Sequence, residues 1–416
     1  MLIFTSIEVT TDPIEVTANT SLSNPADKLS LQPSIKKAAP VAKSIPGNDE
    51  QSPREGSAAS PQLSKSPAHK ESRAPRSDDH AIVSTDRHVL ANDRIKGLAR
   101  RTFNKHVLSE IGGFSGLFQL DAERFPDPVL VASTDGVGSK LELAIQLGLH
   151  SSIGCDLVNH CVNDVAVQGA TPLFFLDYFA AGYLDPDVVQ QVISGLVDAC
   201  KANACALLGG ETAETPWLYD ATQYELAGFM TGVVSRSRLL TGEAIREGDC
   251  LLGLPSNGLH TTGYSLALKL LLETAHYRPE QYINELGDKV GAALMRPHRS
   301  YLSPIRKLIQ AEVVTGFSHI TGGGLTENLP RILPRGLAAH VDLSAWDPPP
   351  LFTHLKQLGG LDHDEMFRTF NMGIGLVAVV PADLIKKARL TLTRMNERSI
   401  ILGRVIRRSS PRIVYS

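Results

Sequence analysis

Apolar runs and helical stripes begin to alternate from about Asp93. Val129-Leu130-Val131-Ala132 is a short apolar run that breaks into Ser133-Thr134-Asp135-Gly136-Val137-Gly138-Ser139-Lys140. That order predicts a strand delivering a carboxylate, hydroxyls, glycines and a lysine to a tight turn. Val158, Cys161, Val162, Val165 and Ala166 recur at helical spacing around Asn163-Asp164, and Gly169 ends the pattern. Pro172 to Phe179 reads as a buried strand. Asp185-Pro186 opens a helix, with Asp as N-cap and Pro at the first position; its stripe is Val188, Val189, Val192, Ile193, Leu196 and Val197. Ala204 to Leu208 predicts a strand that runs into Gly209-Gly210-Glu211-Thr212, and Leu226 to Val234 predicts another.

A second region opens at Gly248-Asp249. Strands are expected at Cys250–Leu254, Ala338–Val341, Gly375–Val380 and Ile400–Val405, with helices at Leu266–Glu273, Arg299–Gln310 and about Pro381–Met395. Strands and helices mix without a barrel's regular repeat, so two α+β domains are expected, at 91–240 and 241–416.

Residues 1–90 differ. They are rich in Ser, Pro, Ala and Lys, and Phe4 is their only aromatic residue. Such a segment cannot bury enough apolar surface to offset its ordering entropy, so a disordered tail is expected. Glu8, Asp12 and Glu15 argue against a transit peptide, which is poor in acids.

Over all 416 residues the formal net charge is −3, which gives no electrostatic case for nucleic acid or an anionic membrane. No apolar stretch approaches a membrane span. The five cysteines form no CxxC, so reduced thiols in a cytoplasmic protein are expected and a structural zinc site is not.

The chemistry-bearing segments repeat one theme, an acid among small residues after an apolar run. The segment at 133–140 fails the P-loop spacing, and Leu141 stands where a dinucleotide fingerprint needs its third glycine. Asp135 and Asp164, with Glu211 after Gly209-Gly210, would suit Mg²⁺ on ATP. Taken singly, each also reads as a turn or an exposed helical acid. Gly322-Gly323-Gly324 enters a helix and offers amides to phosphate, or a capping turn. His260, among glycines and hydroxyls, reads as a proton carrier or as a surface histidine. Alone, Lys96 is an ordinary lysine.

Together these stretches resemble the aminoimidazole ribonucleotide synthetase family. They are STDGVGSK at 133–140, CVNDVAVQGATPLFFLDYFA at 161–180, GGETAE at 209–214, NGLHTTGYSL at 257–266, HITGGGLTENLPR at 319–331 and EMFRTFNMGIG at 365–375. The resemblance runs from about Ile95 to Ile406. It implies an N-terminal domain whose sheet pairs with a second subunit's, hence a homodimer. It also implies ATP-dependent cyclisation of formylglycinamidine ribonucleotide to aminoimidazole ribonucleotide, the fifth step of purine synthesis. Lys96, Asp135, Asp164 and His260 would lie in the active site, with Asp135, Asp164 and Glu211 on Mg²⁺. Nucleotide contacts would come from Gly136, Gly138, Lys140, Gly209, Gly210, Glu211, Thr212, Gly322, Gly323 and Gly324. The chain departs from the family pattern at 81–88 and at Thr262, where the family usually has Asn; a diverged paralogue or a binding-only homologue is the alternative. Selenophosphate synthetase would need an early cysteine, and the first here is Cys155.

Overall fold

The computed structural model describes residue 91 and residues 93–416. The expected tail at 1–90, with the departing segment at 81–88, lies outside the described residues. The α+β class is found. A four-stranded sheet is followed in the chain by a six-stranded one.

The first sheet contains β1 (Pro128–Gly136), β2 (Thr171–Ala181), β3 (Ala206–Glu214) and β4 (Tyr224–Ser235), in the order β1-β4-β2-β3. β4 is antiparallel to both neighbours, and β2 and β3 are parallel. A parallel pair needs a crossover. Here it is α3 (Pro186–Ala202), which follows α1 (Lys140–Leu147) and α2 (Ser151–Ala166). The Asp185 carboxylate caps α3 by accepting from the amides of Asp187 and Val188. α2 and α3 pack closely because both carry glycine at the crossing. A Cβ on Gly195 would lie 1.9 Å from the Ser151 carbonyl oxygen, and one on Gly154 2.5 Å from the Leu196 nitrogen. β1 alternates between exposed and half-buried positions, with Ser133 and Asp135 on the more buried face.

Two strands outrun their expected ends. β1 continues through Ser133-Thr134-Asp135-Gly136, and β3 through Gly209-Gly210-Glu211-Thr212. The polar residues do not end the ladder because partners remain. Asp135 pairs with Gly228, and Glu211 with Tyr178. The turn therefore starts at Val137, two residues past the expected carboxylate.

The second sheet contains β5 (Cys250–Pro255), β6 (Gly316–His319), β7 (Leu337–Val341), β8 (Ile374–Val380), β9 (Ile400–Arg407) and β10 (Ile413–Tyr415). Their order is β10-β7-β9-β5-β8-β6. Every residue of β8 is buried, which fits its unbroken apolar run. The helix expected at 266–273 is α-helical over Tyr264–Leu268 and π-helical over Lys269–Thr274. The one expected from Arg299 starts at Leu302, because the Tyr301 amide donates instead to Asn163 Oδ1 at 2.7 Å.

All five cysteines are free. Among the described residues, no helix is long and apolar enough to cross a membrane.

Candidate active site

β1 and α2 bring two acids together. Ser133 Oγ lies 3.3 Å from Asp135 Oδ2 and 3.1 Å from Asp164 Oδ2, so one hydroxyl bridges both carboxylates. Residues 31 positions apart meet because α2 packs on the sheet face that Ser133 and Asp135 occupy. Burial, then the neighbouring charge of Asp164, pushes Asp135 up to about 7. Burial alone would raise Asp164 too. The hydrogen bond and charge of His319, with the charge of His160 and the hydrogen bond of Asp135, together outweigh it and hold Asp164 below the usual carboxylate range.

His319, the last residue of β6, places Nδ1 2.7 Å from Asp164 Oδ1. Three more histidines surround that contact. His160 lies one helical turn before Asp164, its Nε2 3.5 Å from Asp135 Oδ1 and its Nδ1 2.9 Å from Thr261 Oγ1. His298 Nε2 lies 3.1 Å from His319 Nε2. His260 stacks on His298 with ring centroids 4.2 Å apart. Burial lowers the pKa of all four rings, so the cluster is neutral near pH 7. Asn163 holds the array from α2, with its amide nitrogen 3.2 Å from His298 Nε2 and 2.8 Å from the Arg299 carbonyl oxygen.

His260 does not sit as expected. It is 1% exposed, its φ is +64°, and neither ring nitrogen has a hydrogen-bond partner. Gly375 makes room for it: a Cβ there would fall 2.6 Å from His260 Cε1 and 2.1 Å from the Tyr301 hydroxyl. The ring is an inner wall of the cluster, and His319 and His160 are the histidines that approach the two acids.

Lys140 is also elsewhere. Its ammonium is wholly buried, 2.7 Å from Asp156 Oδ2 and 2.8 Å from the Arg296 carbonyl oxygen. Asp156 Oδ1 in turn accepts from the His298 amide at 2.5 Å. An ammonium so placed ties α1 to α2 and is turned away from any phosphate at the glycines. Gly138, by contrast, has φ +67° and open space where a side chain would stand.

Glu211 cannot join Asp135 and Asp164 on one ion. Asp135, Gly228, Asp177 and Gly210 form one row across the sheet, and Glu211 sits in the next row opposite Tyr178. Three strand spacings separate it from Asp135, about 14 Å, and the alternation of side chains turns it to the other face. Ligands of one Mg²⁺ all lie about 2.1 Å from it.

Glu211 instead lines a cavity of about 960 Å³ with Lys96, Gly112, Gly209, Gly210 and Thr212. That volume is in the range of a ligand pocket. Lys96 reaches across Gly112, where a Cβ would lie 3.3 Å from Nζ. Asp177, inside an apolar strand and in the row of Gly210, also lines the cavity, and burial pushes it up to about 7. Its folded pKa is raised, so the folded chain binds more protons than the unfolded one between about pH 4 and 7. Its contribution to stability is present below that window and lost as pH rises through it. Asp177→Asn is therefore expected to raise the melting temperature relative to the parent at about pH 8 and not at about pH 4.5. Parallel thermal melts at the two pH values check this.

Gly322 is open, while Gly323 has φ +93° and Gly324 φ +57°. This loop follows His319 directly and enters a helix at Gly324–Asn328.

Asp135 and Asp164 suit an oxygen-seeking divalent cation. Two acids share one hydroxyl, and one of them is held protonated toward neutrality by burial and by its neighbour's charge, which a cation would offset.

Residues 121–234 match the family model described as AIR synthase related protein, N-terminal domain, and residues 246–416 match its C-terminal domain. The chain belongs to the AIR synthase related family. It is 45% identical over 331 residues to the phosphoribosylformylglycinamidine cyclo-ligase of Alkaliphilus metalliredigens, covering 80% of this chain and 95% of that one. It is 48% identical over 325 residues to the enzyme of that name from Desulfitobacterium hafniense, covering 78% and 95%. Within the family it therefore belongs with the phosphoribosylformylglycinamidine cyclo-ligases. Two solved structures share the fold at lower identity. Thiamine-monophosphate kinase of Stenotrophomonas maltophilia superposes with a TM-score of 0.59 at 18% identity, covering 79% of this chain and 96% of that one. Hydrogenase maturation protein HypE in complex with ATP superposes with 0.56 at 18%, covering 76% and 88%.

Proposed function

We propose that this chain cyclises formylglycinamidine ribonucleotide to aminoimidazole ribonucleotide, using ATP and releasing ADP and phosphate. What carries the reading is the 45% identity to a cyclo-ligase over 95% of that relative's length. An amide oxygen is a poor leaving group. Transfer of the γ-phosphoryl group makes an iminophosphate; the substrate's own amidine nitrogen then attacks, and phosphate leaves. Ring closure is intramolecular, so positioning contributes much of the rate, about 7–11 kcal/mol in the best-oriented cases.

The parts have distinct tasks in this reading. Asp135 and Asp164 hold Mg²⁺, whose chemistry when bound is to neutralise the charge of the transferring phosphoryl group. His319 orients Asp164 and, with Asp135, is able to hold or pass a proton. Gly136, Gly138 and Gly322 leave backbone open to phosphate. Lys96, Gly209, Gly210 and Thr212 form the cavity for a second phosphate-bearing group, and Glu211 serves that cavity rather than the metal. Lys140 and His260 support the site from inside. We assign residues 91–240 to nucleotide binding and dimerisation and 241–416 to the second domain, in a cytoplasmic enzyme.

Purified protein supplied with formylglycinamidine ribonucleotide, ATP and Mg²⁺ should form aminoimidazole ribonucleotide and ADP in equal amounts. Folded protein that forms neither would overturn the reading.

The homodimer rests on the first sheet. Its face opposite α2 exposes Leu130 (63%), Phe229 (45%) and Tyr178 (38%), an apolar strip that a second copy would cover. Phe229→Arg is expected to convert a dimer to monomer in sedimentation analysis, with secondary structure unchanged. A parent already monomeric at micromolar concentration would remove the dimer.

A further inference from the structure

The donor set around Asp164 is not that of a purely oxygen-liganded site. His160 and Asp164 are four residues apart on α2 and so share a face. Their ligand atoms and one of His319 all lie within 4.8 Å of one another. Asp135 Oδ1, 3.5 Å from His160 Nε2, supplies a fourth donor. Tetrahedral Zn²⁺ with bonds of about 2.0–2.1 Å keeps its donors roughly 3.3 Å apart. The ligand atoms of His160, Asp164 and His319 are already close to that spacing, and the 2.7 Å contact between His319 and Asp164 would open slightly to admit the ion while Asp135 turns in from beside His160.

The outer shell is already in place. A metal-bound histidine normally bonds through its other ring nitrogen to a fixed partner. His160 Nδ1 has Thr261 Oγ1 at 2.9 Å, and His319 Nε2 has His298 Nε2 at 3.1 Å. Ser133 fixes both carboxylates. The rings are buried, while the Asp164 side chain is 33% exposed and gives an ion its way in. Two imidazoles and two carboxylates suit Zn²⁺ or Co²⁺; Mg²⁺ takes oxygen donors in octahedral geometry.

We propose that His160 Nε2, His319 Nδ1, Asp164 and Asp135 form a tetrahedral site for Zn²⁺ that uses the same carboxylates as Mg²⁺, so that Zn²⁺ inhibits the enzyme. Binding stands without the proposed reaction; only the inhibition rests on it. The site was invisible to cysteine spacing because its donors are spread over positions 135, 160, 164 and 319 and contain no sulfur.

Co²⁺ is the probe. Added to metal-free full-length protein it should give the intense visible absorption of a tetrahedral site, which stoichiometric Zn²⁺ removes and excess Mg²⁺ does not. His160→Gln should abolish the band and weaken Zn²⁺ binding at least about 100-fold by competition with a chromophoric chelator. Thr261→Val, which leaves all four donors in place, should weaken it about 10–100-fold and covers the case in which His160→Gln does not fold. Only octahedral, weakly absorbing Co²⁺, or a Zn²⁺ affinity unchanged in a folded variant, would overturn the site. Protein that cyclises the substrate without showing the band refutes the site alone. A band without turnover under Mg²⁺ refutes the reaction alone.

Discussion

Asp164→Asn is expected to reduce ATP-dependent turnover by about 10²–10³-fold, the scale of losing one group that stabilises transition-state charge. The substitution is nearly isosteric. The amide oxygen can still accept from His319 Nδ1 while the amide NH2, in the place of Oδ2, donates to Ser133 Oγ, so helix, sheet and histidine cluster should persist. What disappears is the negative charge that would face Mg²⁺, and with it the repulsion that helps to raise Asp135. Asp135 should then ionise at lower pH, leaving a single carboxylate for the ion. The loss should therefore be in kcat, accompanied by a higher Mg²⁺ requirement, with a circular dichroism spectrum and melting temperature close to the parent's. Near-normal turnover at ordinary Mg²⁺ would remove Asp164 from the metal site.

The pairing of Asp135 with Asp164 could be anticipated because each lies just beyond a strong periodic pattern. An apolar strand leads to the first, and a helical stripe surrounds the second. Packing the stripe on the strand brings them together. The helix at Pro186–Ala202 was equally legible, since Asp-Pro fixes its first turn locally. Glu211 followed the same local pattern and yet falls elsewhere. Strand order and register decide which row and face a residue occupies, and neither is written near Gly209-Gly210. The histidines are a third case. His160 sits inside an apolar helix, and His298 lies between elements. His319 stands directly before three glycines, whose phosphate-binding pattern is the stronger local signal. Nothing local distinguishes a ring packed in the interior from one facing a site. The H-x-x-x-D spacing of His160 and Asp164 was the one signal available.

Lys140 shows how far a motif can mislead, and its replacement should give the largest loss of stability. The lysine follows Gly138-Ser139 in the manner of a phosphate-binding lysine, but its side chain and that of Asp156 are both 0% exposed. Burial already pushes Asp156 up to about 6 against the attraction of Lys140. With Lys140→Met the carboxyl loses its counter-charge while its other oxygen stays tied to the His298 amide. Leaving one partner of a buried pair alone costs about 3–5 kcal/mol, a large part of the stability of an ordinary domain. Lys140→Met with Asp156→Asn should recover most of that, because the neutral amide can still accept from His298 and no charge remains to be desolvated. Chemical denaturation of the two variants beside the parent measures both terms. The contrary outcome is equally concrete. If the ammonium served phosphate, Lys140→Met would leave the unfolding midpoint unmoved and raise KM for ATP. The second change would then restore nothing.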